Sequence, residues 1–197
     1  MIIHENVLNQ EGVEAIRTLL SSGKIPWYFL KDCAYGSVAG DDNLQMPPGM
    51  EHLAQSMNPS FTYTPFKGGN ITGQLPEMNA QSRLILKMVY PVINGVCKEF
   101  GLNSNKLFRV RLGLELPLAN PPLHHNPHTD MRTPHTTVLY YVNNSDGDTF
   151  FFDDDLNITD RVTPKAGKAI MFDGLTYHAS SNPSKSYRLV INMNFEQ

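Results

Sequence analysis

Beyond Gly101 the chain stops spacing its apolar residues for a helix. It breaks instead into short runs, of about six to nine residues, rich in β-branched and aromatic side chains and separated by turn residues. Segments 109–116, 128–130, 136–142, 149–152, 168–172, 177–179 and 187–195 all read as strands. None of the links between them leaves room for the crossover helix that joins parallel neighbours. Short strands joined in this way close into a sandwich or jelly roll.

The first hundred residues have a different character. In 11–20, Val13, Ile16, Leu19 and Leu20 recur at helical spacing, and Ser21-Ser22-Gly23 with Pro26 beyond ends the run. Segment 31–76 carries Gly36, Gly40, Pro47-Pro48-Gly49, Pro59, Pro65 and Gly68-Gly69, punctuation that permits loops and short strands. In 77–100, Leu84, Ile85, Met88, Val89, Val92, Ile93, Val96 and Phe100 form one apolar face, stopped by Gly101, and Pro91 is expected to kink or divide this helix. The predicted fold is α+β but mainly β, one domain over 1–197, with the helical and loop region 1–100 supporting a β core in 101–197.

Composition narrows the classes of function. With 41% hydrophobic and 18% charged residues the chain is an ordinary globular protein. Its net charge is -3 and its 16 basic residues are scattered, which gives no footprint for a nucleic-acid backbone. No apolar run reaches the roughly 18 residues that span a bilayer, and Met1-Ile2-Ile3-His4-Glu5-Asn6 lacks a basic stretch followed by an apolar one, so no membrane association is expected. Cys33 and Cys97 stand far apart without metal-ligand spacing. They are expected to be buried free thiols in a reducing cytoplasm. Asp153-Asp154-Asp155 reads as a solvated turn.

Chemistry enters with His128-Thr129-Asp130. Side chains at i and i+2 of a strand point to one face, with Cα atoms roughly 6.5 Å apart, and so can converge on one ion. Two histidines and one carboxylate on one face of an octahedron leave three open positions, the arrangement of non-haem iron(II) oxygenases. The third ligand must then be a later histidine, and His178 stands in a strand candidate after the apolar run 169–172. Arg188 follows ten residues later, across the polar turn 180–184, at the start of another strand. Iron(II) with one carboxylate and neutral histidines carries a net charge of about +1, which suits a ligand chelating through a carboxylate and a keto oxygen. A second carboxylate on that ligand needs its own cation, and arginine offers a planar fork of donors that stays charged when desolvated.

These residues lie in order with Thr137-Val138-Leu139-Tyr140-Tyr141-Val142-Asn143, Asp146-Gly147-Asp148-Thr149-Phe150-Phe151 and Pro164-Lys165-Ala166-Gly167-Lys168-Ala169-Ile170-Met171-Phe172. From about 109 to 195 the chain resembles the 2-oxoglutarate/Fe(II) oxygenase superfamily, and particularly its prolyl-hydroxylase-like branch with small bacterial and phage members. The resemblance implies a double-stranded β-helix (jelly roll) with N-terminal helices packed against it. It implies Fe(II) held by His128, Asp130 and His178, and the far carboxylate of 2-oxoglutarate held by Arg188. In similar enzymes the residue at Tyr141 donates its hydroxyl to that carboxylate, and the residue at Asn192 is polar and faces the pocket. The implied reaction consumes O2 and 2-oxoglutarate, releases succinate and CO2, and hydroxylates a C–H bond of a peptide or small-molecule substrate. Leu139 and Phe150 are candidates for an apolar lining, with plain core as the commoner place for such residues.

Two other readings stay open on the residues alone. One is a non-catalytic jelly-roll binding module. The other is a cupin-like metalloenzyme that uses no 2-oxo acid, for which His124, His125 and His135 are spare ligands. Arg109, Arg111 and Arg132 border the predicted mouth and are expected to lie in solvent.

Overall fold

A computed structural model describes residues 1–30, 59–68 and 78–197 of the protein, so Cys33 and most of the loop region 31–76 lie outside the described residues. The elements in chain order are β1 (Ile2–His4), α1 (Gln10–Ser21), β2 (Tyr28–Leu30), β3 (Ser60–Lys67), α2 (Ala80–Phe100), β4 (Leu107–Glu115), β5 (His135–Tyr141), β6 (Thr149–Phe152), β7 (Ile158–Val162), β8 (Ala169–Asp173), β9 (His178–Ser180) and β10 (Arg188–Glu196). Among the described residues no helix is long and apolar enough to cross a membrane.

Among the described residues the strands form two antiparallel sheets, one of seven strands in the order β1-β8-β5-β10-β4-β3-β2 and one of three in the order β7-β6-β9. Strand β10 is central to the larger sheet. It pairs with β4 along one side, Arg188 opposite Glu115 and Asn192 opposite Arg111, and with β5 along the other, Asn192 opposite Leu139. Because side chains alternate across a strand, these registers put Arg188, Val190, Asn192 and Asn194 on the same face as Glu115, Gly113, Arg111 and Arg109. The opposite face carries Leu189, Ile191, Met193, Val110 and Leu112, which join Ile85, Val89, Val92, Ile93 and Val96 of α2 in the main core. A smaller cluster, containing Leu139, Tyr141, Phe151, Ile170, Phe172 and Val190, fills the space on the side that faces the three-stranded sheet.

Helix α2 begins where Asn79 accepts a hydrogen bond from the Ser82 amide at 2.8 Å, and ends at Gly101, whose φ of 66° suits a residue without a Cβ. Pro91 does not divide it. The completely buried Val89, Val92, Ile93 and Val96 hold both halves against the sheet, which offsets the hydrogen bond that proline removes. Leu84 and Met88 fall outside the buried seam, at 58% and 42% exposure. Three strands had no signal in the sequence: β1 and β2 are three residues long, and four of the five residues of β7 are exposed. Of the punctuated region, 60–67 is the eight-residue strand β3. Cys97 is a free, partly buried thiol whose pKa burial raises, and 153–155 is an exposed turn.

Candidate metal centre

The segment 128–130 is not the strand its alternation suggested. Pro127 has no amide hydrogen to extend a ladder upstream, and among the described residues His128 is joined to β9 by an isolated antiparallel bridge to His178. That bridge is doubly bonded, with His128 N to His178 O and His178 N to His128 O both 3.0 Å. It sets the two rings 4.8 Å apart between centroids. Asp130, beyond the bridge, turns its carboxylate into the same space. The ligand atoms of His128, Asp130 and His178 all lie within 4.8 Å of one another, and all three residues are buried.

The rings are presented in the form a metal needs. Nδ1 of His128 lies 3.1 Å from the Asn126 carbonyl and Nδ1 of His178 lies 3.0 Å from the Thr176 carbonyl. A carbonyl only accepts, so each Nδ1 carries the hydrogen and each Nε2 keeps its lone pair for a cation. Burial, with the neighbouring His178 ring adding to it, lowers the His128 pKa to about 3, and burial also lowers that of His178. Both stay neutral at physiological pH. The cost is sensitivity to acid. Between about 6.5 and about 3 an unfolded chain binds a proton at His128 and the folded chain does not, so stability falls as pH drops through that range. The thermal midpoint of metal-free protein should decrease by several degrees from about pH 7 to about pH 5. A midpoint that held or rose would contradict a neutral, buried His128.

Asp130 sits in a cradle of donors. Its Oδ2 accepts from the side-chain amides of Asn192 and Asn194, both at 2.9 Å, and from Thr137 at 3.4 Å, while Arg109 lies 3.6 Å from Oδ1. Burial works to raise the carboxyl pKa. The Arg109 guanidinium foremost, then the two histidines and the Asn192 amide, outweigh it and hold the group ionised well below the usual carboxylate range. Arg109 is therefore not in solvent as expected. It is 3% exposed, also donates to Asn194 at 3.3 Å, and its Nε and remaining terminal nitrogen have no partner among the described residues. Arg111 is half-buried and lines the pocket, whereas Arg132 is exposed as expected.

From the three ligands a pocket runs between the sheets past Leu139, Val190, Gly113 and Asn192 to Thr149, Ser180, Glu115 and Arg188. Arg188, 3% exposed, donates to Glu115 Oε2 at 3.1 Å and to Thr149 Oγ1 at 2.9 Å, and its Nε has no partner among the described residues. Tyr141 is completely buried beside it, the guanidinium lying 5.8 Å from the ring centre, and burial pushes the phenol up to about 12. The Tyr141 hydroxyl goes to Thr149 at 2.8 Å and not into the pocket. Thr149 Oγ1 thus accepts twice, which leaves its own hydrogen to donate at the pocket wall. Asn192 reaches the pocket but spends its amide on Asp130. Phe150 does not line it: on β6, Thr149 and Phe151 face inward, so Phe150 and Phe152 turn outward to a separate cluster.

The spare histidines stay out of the metal group. His124 points Nδ1 at the His125 carbonyl, His125 bonds Ser180 and Asn182, and His135 points Nδ1 at the Thr133 carbonyl. Sequence reasoning missed Glu115, Thr149, Thr137 and Asn194. The available signal was the register, since Glu115 and Asn194 share the inward face with Arg188 and Asn192 once β4 and β10 are paired.

No family model matches the sequence, and no curated protein does either. Solved structures do match. A prolyl hydroxylase from Trichoplax adhaerens, in complex with a hypoxia inducible factor oxygen degradation domain peptide fragment, is 13% identical with a TM-score of 0.52 over 98% of this chain and 82% of that one. The non-heme alpha ketoglutarate dependent carbocyclase SnoK from nogalamycin biosynthesis is 14% identical with a TM-score of 0.56 over 98% of this chain and 78% of that one. An oxidoreductase of the 2OG-Fe(II) oxygenase family from Burkholderia pseudomallei is 12% identical with a TM-score of 0.50 over 96% of this chain and 92% of that one. The chain has the fold of the 2OG-Fe(II) oxygenases, including prolyl hydroxylases, and it carries a buried His-Asp-His group that can hold a metal ion.

Proposed function

We propose that the protein is an Fe(II)- and 2-oxoglutarate-dependent dioxygenase built on a double-stranded β-helix, in which His128, Asp130 and His178 hold the iron. The observation that carries this reading is the pairing of two sites in one pocket: three convergent ligand atoms at one end and a buried arginine with an unsatisfied donor at the other. The ligand set fits the ion. Both Nε2 atoms are free to bind it, Asp130 is ionised, and Asn192 Oδ1 has no partner among the described residues. Bound iron would supply the activation of O2, coupled to oxidative decarboxylation of 2-oxoglutarate to succinate and CO2, and the oxidation of a substrate C–H bond.

The chain's own residues then have distinct tasks. Arg188 and the Thr149 hydroxyl take the far carboxylate of 2-oxoglutarate. Tyr141 acts on it through Thr149, and Asn192 acts on the metal through Asp130. Leu139 and Val190 form apolar wall along the pocket and keep water from the reacting centre. The neighbours support a peptide or a small molecule as substrate, one having been solved with a peptide fragment and another being a carbocyclase. Hydroxylation is the expected outcome.

The test is anaerobic titration of apoprotein with Fe(II), then with 2-oxoglutarate, following the weak visible charge-transfer band of a chelated 2-oxo acid. Appearance of the band, with succinate release in a substrate screen, is the expected result. Metal binding without the band would favour the cupin-like reading, and absence of metal binding the non-catalytic module.

A further inference from the structure

Resting on that reading, the far end of the pocket raises a question of charge. Arg188 is to hold a carboxylate there, yet the equally buried Glu115 is already 3.1 Å from its NH1. If Glu115 simply cancelled Arg188, a dicarboxylate would meet no net positive charge. The hydrogen bonds beyond Glu115 argue otherwise.

Glu115 Oε1 lies 2.5 Å from Ser180 Oγ, Ser180 Oγ lies 3.0 Å from His125 Nδ1, and His125 Nε2 lies 2.6 Å from Asn182 Oδ1. The Asn182 amide has a fixed orientation, because its nitrogen donates to the Leu116 carbonyl at 3.1 Å. Its oxygen therefore faces the imidazole, and His125 Nε2 must carry a hydrogen. Ser180 has a single hydroxyl hydrogen to place. If it goes to Glu115, His125 Nδ1 must donate to Ser180, and the ring is an imidazolium. If it goes to His125 Nδ1, Glu115 must donate to Ser180, and Glu115 is a neutral acid. Both arrangements hold one proton more than a neutral histidine with a carboxylate.

We propose that Glu115 and His125 share one proton through Ser180, so that Arg188 keeps an uncancelled positive charge for the far carboxylate of the co-substrate. Loss of that proton leaves Glu115 and Arg188 as a neutral pair and weakens the grip on a dianion. Co-substrate affinity therefore falls as pH rises. Among the described residues the other charged or titratable groups near this hydrogen-bonded chain are Tyr141, which burial keeps neutral, Asp148, which is paired with Arg161, Arg111, which lines the same pocket and donates to Thr62 at 2.8 Å, and His124, whose ring lies 4.9 Å from that of Phe152. Glu115 and His125 thus control the co-substrate site without belonging to the metal site.

The experiment is a titration of Fe(II)-loaded protein with 2-oxoglutarate under argon at about pH 6 and about pH 8.5, on either side of the range where histidines ordinarily titrate. The parent should bind about tenfold more tightly at the lower pH. In Glu115→Gln the side-chain carbonyl serves Arg188 and the amide serves Ser180, so no extra proton is needed, and binding should be tight at both values. His125→Gln should bind weakly at both. 2-Oxobutyrate, which lacks the far carboxylate, should bind the parent equally at both. The inference is overturned if the parent's affinity for 2-oxoglutarate does not change, if Glu115→Gln keeps the parent's pH dependence, or if 2-oxobutyrate shares it. A parent that binds Fe(II) but no 2-oxoglutarate at either pH would bring down the oxygenase reading and this inference with it.

Discussion

At about pH 8.5, where the proton shared by Glu115 and His125 is lost, replacing Arg188 by alanine should remove roughly 3–5 kcal/mol of stability, because Glu115 would remain buried with its cation gone. The same substitution should cost at least about a hundredfold in 2-oxoglutarate affinity, the consequence of leaving the co-substrate's carboxylate without its partner. One residue thus supports both fold and binding, and a second substitution separates the two. Arg188→Ala with Glu115→Gln no longer buries a lone carboxylate, so urea denaturation should find most of the stability restored while 2-oxoglutarate binding stays lost. A single variant as stable as the parent would mean that the Glu115 pair does not support the sheet. Undiminished co-substrate affinity would mean that Arg188 has been given the wrong task.

Asp130→Ala should be as damaging, for a related reason. It removes a metal ligand, so the loss of Fe(II) affinity should exceed the 10–100-fold typical of deleting an outer partner. It also strands Arg109, buried at 3% exposure, without the carboxylate 3.6 Å away, at a further cost of roughly 3–5 kcal/mol. Adding Arg109→Met should recover stability and no metal binding, as judged by denaturation and by anaerobic equilibrium dialysis. Metal retained by Asp130→Ala would contradict its role as a ligand.

How far the sequence could be read depended on which side of each strand faced water. In 109–115 the alternation is plain, with Arg109, Arg111, Gly113 and Glu115 on one face and Val110, Leu112 and Leu114 on the other. The usual rule turns the polar face outward. Here the apolar face meets the helices and the polar face lines the pocket, so a correct strand led to a wrong placement of Arg109. Strand β10 repeats the pattern, yet Arg188 was found because its chemistry and its distance from His178 pointed inward. Spacing likewise singled out His128, Asp130 and His178, although an isolated backbone bridge to His178, and not a regular strand, holds His128 in place. What no local pattern carried was the pairing of partners far apart in sequence. Glu115 meets Arg188 seventy-three residues on, and Asp130 meets Asn194 sixty-four residues on.

The central position of β10 also sets the order of events when the chain is made. Strands β4 and β5 are both synthesised before it, and neither can pair with the other, because β10 lies between them. Until residues 188–196 clear the ribosome, the edges of β4 and β5 that flank β10 stay open. Arg188, Asn192 and Asn194 arrive on that last strand, so the Asp130 carboxylate has neither of its two asparagine donors until then. A nascent chain stalled before residue 188 would be an aggregation hazard with an incomplete metal site, which gives chaperones a defined interval in which to act.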